Sequence, residues 1–293
     1  MRFQAEQHNN KATKLEEKGQ IERAIACYEK AIKTDPRWSV PWYNLGLLYK
    51  RRRAWEKSLA CNQRAVKLDA RDKAAWWNIG IAATALDDWQ EARRAWEAYG
   101  IRIESEDGPI EMDLGPVPIR INPDGGGEVV WCKRIDPARA IIQNIPLPES
   151  KHRYGDLLLH DGAPNGYRKV GNQEVPVFDE LQLLAPSEFG TYEVLVDTVM
   201  LEALDAMIDE ANQAGDLAVE DWGTLRRLCK ACSEGRPFSA DHAHKQDTKG
   251  ERRIGFAAAS DKRVNDLLAL WRAKLPAVEI SQLQCVLQPV RGN

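Results

Sequence analysis

No stretch of this 293-residue chain approaches the roughly 20 consecutive apolar residues that span a bilayer. The opening run Met1–Glu6 leads into polar sequence, without the apolar centre of a secretory leader, so the expected location is the cytoplasm. Charge of one sign is also lacking. Lysine plus arginine number 41 against 44 aspartate plus glutamate, a net charge of −3. That balance gives no electrostatic case for nucleic acid or an acidic membrane as partner. The six cysteines are scattered and read as reduced thiols rather than a disulfide framework. Gly-x-Ser-x-Gly, a Walker loop and a dinucleotide fingerprint are all missing. Gly125-Gly126-Gly127 lacks the lysine and helix that would make it a phosphate loop. No cofactor is therefore expected.

What is present is a repeat. Trp42 recurs as Trp76, and Leu45-Gly46 as Ile79-Gly80, at a spacing of 34 residues. Ala12, Gly46 and Gly80 form one column, Asn10, Asn44 and Asn78 a second, Ala31 and Ala65 a third. Within a unit the apolar residues recur at helical spacing, as at Trp42, Leu45, Leu48 and Tyr49. Small residues in the columns allow paired helices to approach closely. Two helical patterns per unit at this period describe a helical solenoid, an architecture that chiefly presents a surface to a partner. The basic run Lys50-Arg51-Arg52-Arg53 falls between two helices and reads as a solvated turn. Cys27 and Cys61, one period apart, read as helix-packing residues.

These columns resemble the tetratricopeptide repeat (TPR) over residues 5–106. The second unit carries Trp42, Leu45, Gly46, Tyr49, Ser58 and Ala65. The first keeps Ala12, Leu15, Ala24, Tyr28, Ala31 and Pro36 but has His8 and Lys11 where Trp and Leu are expected. The third keeps Trp76, Ile79, Gly80, Ala92 and Trp96 but lacks the closing Pro and has Tyr99 at a small-residue position. The resemblance implies three stacked helix pairs, with the first helix of each pair lining a concave groove. Asn10, Asn44 and Asn78 would then face the groove, where a carboxamide both donates to and accepts from a peptide backbone. An ordinary structural role for Asn in this column explains them equally well. Tyr43, Leu47, Trp77 and Ile81 would line the same face. Trp76 is expected to pack in the core. Trp77, about 100° further round the helix, is expected to face the groove and to matter little for stability. The family's chaperone-tail binders use a basic clamp. Its positions here are Asn9, Thr13, Asn44, Ala74 and Asn78, and only Asn44 fits. An acidic C-terminal tail is therefore a disfavoured ligand.

The helical pattern breaks at Glu104–Pro109. Short strand patterns follow at Val117–Ile121, Glu128–Ile135, Ala138–Ile145, Tyr154–His160, Glu174–Leu184 and Thr191–Asp197. Asn122–Gly127 and Asp161–Gly166 have the composition of turns. Further on, Val199–Ala211 and Thr224–Ser233 read as helices, Arg253–Ala259 as a strand, Asp261–Lys274 as a helix and Val278–Leu287 as a strand. The predicted fold class is α+β multidomain. A TPR solenoid (1–106) is followed by a β-rich domain (109–190) and an α+β module of ferredoxin-like type (191–293).

Two groups carry candidate chemistry. Cys229-x-x-Cys232 followed by His242-x-His244 has zinc-binding residue types, but the gaps are shorter than in common zinc fingers. A helix face with both cysteines packed inward accounts for the pair without metal, and less than one zinc per chain is expected. His160-Asp161 at a strand end has residue types for acid–base work, although Asp-Gly and Asn-Gly nearby also suit a plain turn.

The sequence thus points to a non-enzymatic interaction protein. It would bind a peptide or protein partner through Asn10, Tyr43, Asn44, Leu47, Trp77, Asn78 and Ile81, together with the C-terminal domains. Neutralising a bacterial toxin is one form of that role. The competing reading is an enzyme or metal-dependent regulator with a C-terminal site to which the TPR recruits substrate.

Overall fold

The computed structural model describes residues 1–104, 107–125, 127–170, 173–198, 200–223 and 251–290. It divides into two compact units, Met1–Met112 and Asp113–Asn293.

The first unit contains six helices in three pairs: α1 (Arg2–Glu17) with α2 (Ile21–Thr34), α3 (Ser39–Arg51) with α4 (Trp55–Leu68), and α5 (Lys73–Ala85) with α6 (Trp89–Tyr99). This is the TPR-like solenoid the repeat implies. Local sequence sets the boundaries. The Asp72 and Asp88 carboxylates accept from Ala75 N and Glu91 N, capping α5 and α6. Gly100, at φ 115°, ends α6 in the left-handed conformation.

The column Ala12, Gly46, Gly80 is where paired helices touch. A Cβ on Gly46 would lie 2.4 Å from Asn62 Nδ2, and one on Gly80 would lie 2.5 Å from the Trp96 ring. The slot across from that column is filled by Tyr28, Asn62 and Trp96 in successive repeats, all buried. Cys27 and Cys61 are buried in the core shared by the first two pairs.

The second unit opens with five strands, β1 (Pro116–Ile121), β2 (Glu128–Arg134), β3 (Arg139–Ile142), β4 (Leu157–Val170) and β5 (Gln173–Ala185). They form a closed barrel in sequence order. Neighbours along the chain pair antiparallel, so with an odd number of strands the closing pair must be parallel. Ile119 and Arg120 of β1 indeed pair in parallel with Phe178 and Asp179 of β5. Inward residues such as Ile119, Val130, Cys132, Ile142 and Leu158 fill the interior.

The remainder is β6 (Gly190–Asp197), α7 (Leu201–Ala214), β7 (Ala218–Asp221), β8 (Glu251–Ala258), α8 (Asp261–Lys274), β9 (Glu279–Ile280) and β10 (Gln284–Leu287). The sheet order β10-β6-β8-β7, with every pair antiparallel, is the ferredoxin-like arrangement expected. α7 and α8 supply Leu204, Met207, Val264, Leu268 and Trp271 to the core with Val194, Val196 and Phe256 of the sheet.

Three local expectations fail. Asp161–Gly166 is not a turn, because β4 runs through it and stays paired with β5. Register shifts between His160 and Pro164 and between Pro164 and Tyr167, with Gly166 at φ 98°, absorb the irregular residues as bulges. Val278–Leu287 is broken into β9 and β10. Strand β7 has no signal in the sequence, because four residues ending in Glu220-Asp221 carry no apolar run. The helix expected at Thr224–Ser233 lies outside the described residues.

Candidate functional site

The best candidate surface is the row of first helices, α1, α3 and α5. It begins with a polar joint between α1 and α3. Asn44 Nδ2 donates to Asn9 Oδ1 at 3.0 Å. Arg51 Nη1 donates to Glu16 Oε1 at 2.6 Å, and the Tyr28 hydroxyl donates to Glu16 Oε2 at 3.0 Å. The basic run is thus partly neutralised at the surface, with Arg52 also 3.4 Å from Glu22.

The predicted partner-binding residues do not share one environment. Asn10 is exposed, and Tyr43, Asn44, Leu47 and Trp77 are half-buried. Asn78 is only 3% exposed, and Ile81 has no exposed surface at all. As described, therefore, Asn78 and Ile81 do not present themselves to a partner. The cause lies in α5, whose sequence Lys-Ala-Ala-Trp-Trp-Asn-Ile-Gly-Ile-Ala-Ala-Thr-Ala is apolar nearly all round, and such a helix is buried on most sides. Asn9, not its neighbour Asn10, is the residue joined to Asn44. Sequence columns alone missed this because the joint crosses between repeats, pairing one position with the next position of the following unit.

Trp77 also departs from expectation. Its ring packs edge-on against Trp96 (centroids 5.0 Å apart) and Tyr99 (4.7 Å). It therefore helps hold α5 to α6 while staying half-buried. Trp76 packs as expected, with its Nε1 donating to the Ala70 carbonyl at 2.9 Å.

In the second unit His160 is fully buried. Its Nδ1 donates to the Asp161 carbonyl at 2.8 Å, and burial pushes its pKa down to about 4. The ring is neutral near pH 7 and sealed from solvent, so it has neither the access nor the proton for acid–base work. His152 and Glu180 pair at 2.9 Å, and Glu180 also accepts from Asn122 N at 2.9 Å. This ties the β1 end to β5. Cys229, Cys232, His242 and His244 lie outside the described residues. Among the described residues no group of three or more His, Cys, Asp or Glu is placed to hold a metal, and no helix is long and apolar enough to cross a membrane.

A family model agrees with part of the solenoid. No curated protein matches the chain. Among solved structures, the first TPR of Spaghetti (RPAP3) bound to HSP90 peptide SRMEEVD is similar, at 26% identity over 34% of this chain and 79% of that one, with a TM-score of 0.33. The second TPR of Spaghetti (RPAP3) bound to the same peptide is similar at 26% identity over 33% of this chain and 89% of that one, with a TM-score of 0.32. Residues 15–52, from the end of α1 through α3, match the family model described as TPR repeat.

Proposed function

We propose that this protein is a binding protein that grips a protein or peptide partner along the row α1, α3, α5. The observation that carries the reading is the helix solenoid itself, with half-buried Tyr43, Asn44, Leu47 and Trp77 on consecutive first helices. Repeats of this kind bury little beyond their neighbours and leave an extended face for recognition. Half-buried aromatic and aliphatic side chains next to carboxamides are the residue types that dominate binding energy. In this reading the chain is an adaptor in the cytoplasm, holding its partner for recruitment or, for a toxin, for neutralisation. The second unit lends a further surface.

The test selects displayed random peptides on the full chain and measures affinity for parent, Tyr43→Ala and Leu47→Ala. Each substitution is expected to weaken binding by about 1–2 kcal/mol. Selected peptides that bind both variants as well as the parent would place the site elsewhere.

A further inference from the structure

The two edges of the ferredoxin-like sheet are finished differently. At β7, Asn212 stands in for a further strand. Its Nδ2 donates to the Val219 carbonyl at 2.9 Å, and Val219 N donates to its Oδ1 at 2.8 Å. Cover of this kind keeps an edge from pairing with another chain. At the opposite edge, β10 has β6 as its one neighbour among the described residues. The register shows which backbone groups of β10 remain. Leu195 N donates to Ser281 Oγ and Ser281 N donates to the Leu195 carbonyl, both at 2.9 Å, so Leu195 turns both its groups towards the β9–β10 side. Residues two apart along β6 do the same, which commits Glu193 to Gln284 and Thr191 to Leu287. Cys285, opposite Tyr192, therefore turns its N–H and carbonyl outward.

Beside this edge runs a groove of about 330 Å³, lined by Asp261, Asn265 and Arg272 of α8 and by Tyr192, Leu283 and Cys285. The charges of α8 sort by side. Lys262 pairs with Asp266, Arg263 with Asp216 and Lys274 with Glu210. Asp261 and Arg272, the two that line the groove, have no ion pair among the described residues. Arg272 Nη2 donates to the Ser281 carbonyl at 3.2 Å, a neutral partner that leaves its charge unmatched. At 1.5 Å of rise per residue the two charges are about 16 Å apart along the helix. The groove is thus negative at one end and positive at the other. A nucleic acid or an acidic membrane offers negative charge alone, which Asp261 would repel. An extended polypeptide can offer both signs. Its side chains on one face recur about every 7 Å, so an acid and a base four to six positions apart match the groove.

We propose that the groove between α8 and β10 takes an extended segment of a partner protein as an added strand on β10, with an acidic side chain on Arg272 and a basic one on Asp261. An apolar side chain between them lies over Leu283 and Cys285. Backbone bonds to Cys285 set the register, and the two charges select the sequence. This rests on the reading that the partner is a protein and locates the surface lent by the second unit, without depending on the solenoid row.

The experiment selects displayed random peptides on the full chain and reads affinity by titration calorimetry. One class of peptides is expected to carry a basic and an acidic residue four to six positions apart around an apolar one. Asp261→Lys and Arg272→Glu should each weaken that class about three- to tenfold, less at high salt. The double variant should recover affinity for a peptide whose two charges are exchanged. Cys285→Pro, or N-methylation of the peptide bond facing Cys285, should weaken binding as well, because each removes an edge donor. Thermal melting of the two charge variants should match the parent. Peptides indifferent to both charge variants overturn the proposal, as do peptides that respond to them but tolerate both Cys285→Pro and N-methylation. Self-association of the chain that Arg272→Glu abolishes would make the occupant a second copy and also overturns it. If every selected peptide is weakened by Tyr43→Ala and Leu47→Ala and none by Arg272→Glu, the solenoid row stands and the β10 site falls. The reverse pattern keeps the β10 site and removes the row.

Discussion

The two units treat buried polar groups in opposite ways. In the solenoid, Trp42 Nε1, Asn62 Oδ1, Trp77 Nε1, Asn78 Nδ2, Thr84 Oγ1 and Trp96 Nε1 are buried without partners. Among the described residues of the strand-rich unit only His160 Nε2 and Thr191 Oγ1 share that condition. Yet the second unit buries more charge: Arg120 pairs with Asp179, Arg139 with Asp136, and His152 with Glu180. The solenoid stacks one pattern three times, so a position satisfied at one joint can lose its partner at the next. The barrel and sheet cross-link distant segments, and their buried charges meet opposite charges, Asp136 also accepting from two backbone N–H groups. One unit therefore leaves neutral polar atoms unpaired, and the other keeps its charges paired.

The sharpest way to break this contrast is to unlock a charge. Asp136 Oδ1 accepts from Ala138 N and Arg139 N at 2.7 and 2.6 Å, and Oδ2 accepts from Arg139 Nε. Asp136→Ala strips these bonds and removes the Asp136 carboxylate from the buried Arg139 guanidinium. Unfolding of the second unit, followed by hydrogen exchange of barrel peptides, should show a loss of about 3–5 kcal/mol. A loss within the range of ordinary surface substitutions would mean that the pair is ornamental.

The next test uses protons. Burial, reinforced by the nearby charges of Glu220 and Glu149, raises the Glu128 pKa from 4.5 to about 7, while Leu147 N donates to this carboxylate. A carboxyl with a raised folded pKa lowers stability above pH 7. That penalty is relieved as pH falls from 7 towards 4.5. Burial lowers His160 from 6.5 to about 4, so its contribution is intact above pH 6.5 and is lost as pH falls towards 4. At about 1.4 kcal/mol per pH unit the two slopes oppose each other and nearly cancel between pH 6.5 and 4.5. Glu128→Gln should therefore lose stability relative to the parent as pH falls through that window, by on the order of 2–3 kcal/mol. His160→Leu should gain by a similar amount. Parallel pH profiles for parent and both variants would show that neither group titrates as its burial requires.

Legibility in the sequence divides along the same line. The solenoid was readable because each repeat reuses the same slots, so Gly46 and Gly80 announce the close approach that Asn62 and Trp96 fill. Its surface was less readable. Which asparagine bonds to which depends on the offset between adjacent helices, and Ile81 looks like a groove residue until α5 is seen to be apolar all round. In the second unit, most strands are visible by alternation, and the ferredoxin-like type of the last module is legible although its strand β7 is not. The long hairpin is hard to read because Asp161–Gly166 carries turn residues inside a strand, where bulges rather than a reversal use them. The joint between barrel and sheet was invisible. Glu220 accepts from Ile145 N and Asn144 Nδ2, and Trp222 Nε1 donates to the Ile145 carbonyl, across some 75 residues of chain. No local pattern encodes that.

Within the solenoid, Trp77→Ala measures how far the third repeat depends on aromatic packing. The ring touches Trp96 and Tyr99 but is partly exposed, so the expected loss is about 2 kcal/mol, below the 3–5 of a fully buried tryptophan. Denaturant unfolding followed by hydrogen exchange in α5 and α6 reads it. A neutral result would return Trp77 to the role of a pure surface residue.

The smallest effect sharpens the comparison most, because it uses one isosteric change in three places. Thr84 of α5 and Thr191 of β6 bury hydroxyls without partners. Valine has the same branched shape and removes the polar atom. With no bond to lose, Thr84→Val and Thr191→Val should each stabilise their unit by about 1 kcal/mol, although one lies in a helix and the other in a strand. Thr198 is the control. It is buried too, but its Oγ1 accepts from Met200 N at 2.9 Å before α7 begins. Thr198→Val should therefore destabilise by about 1 kcal/mol. Melting curves of the three variants decide the matter by sign alone. If Thr84→Val destabilises while Thr191→Val does not, the Thr84 hydroxyl has a partner in solution.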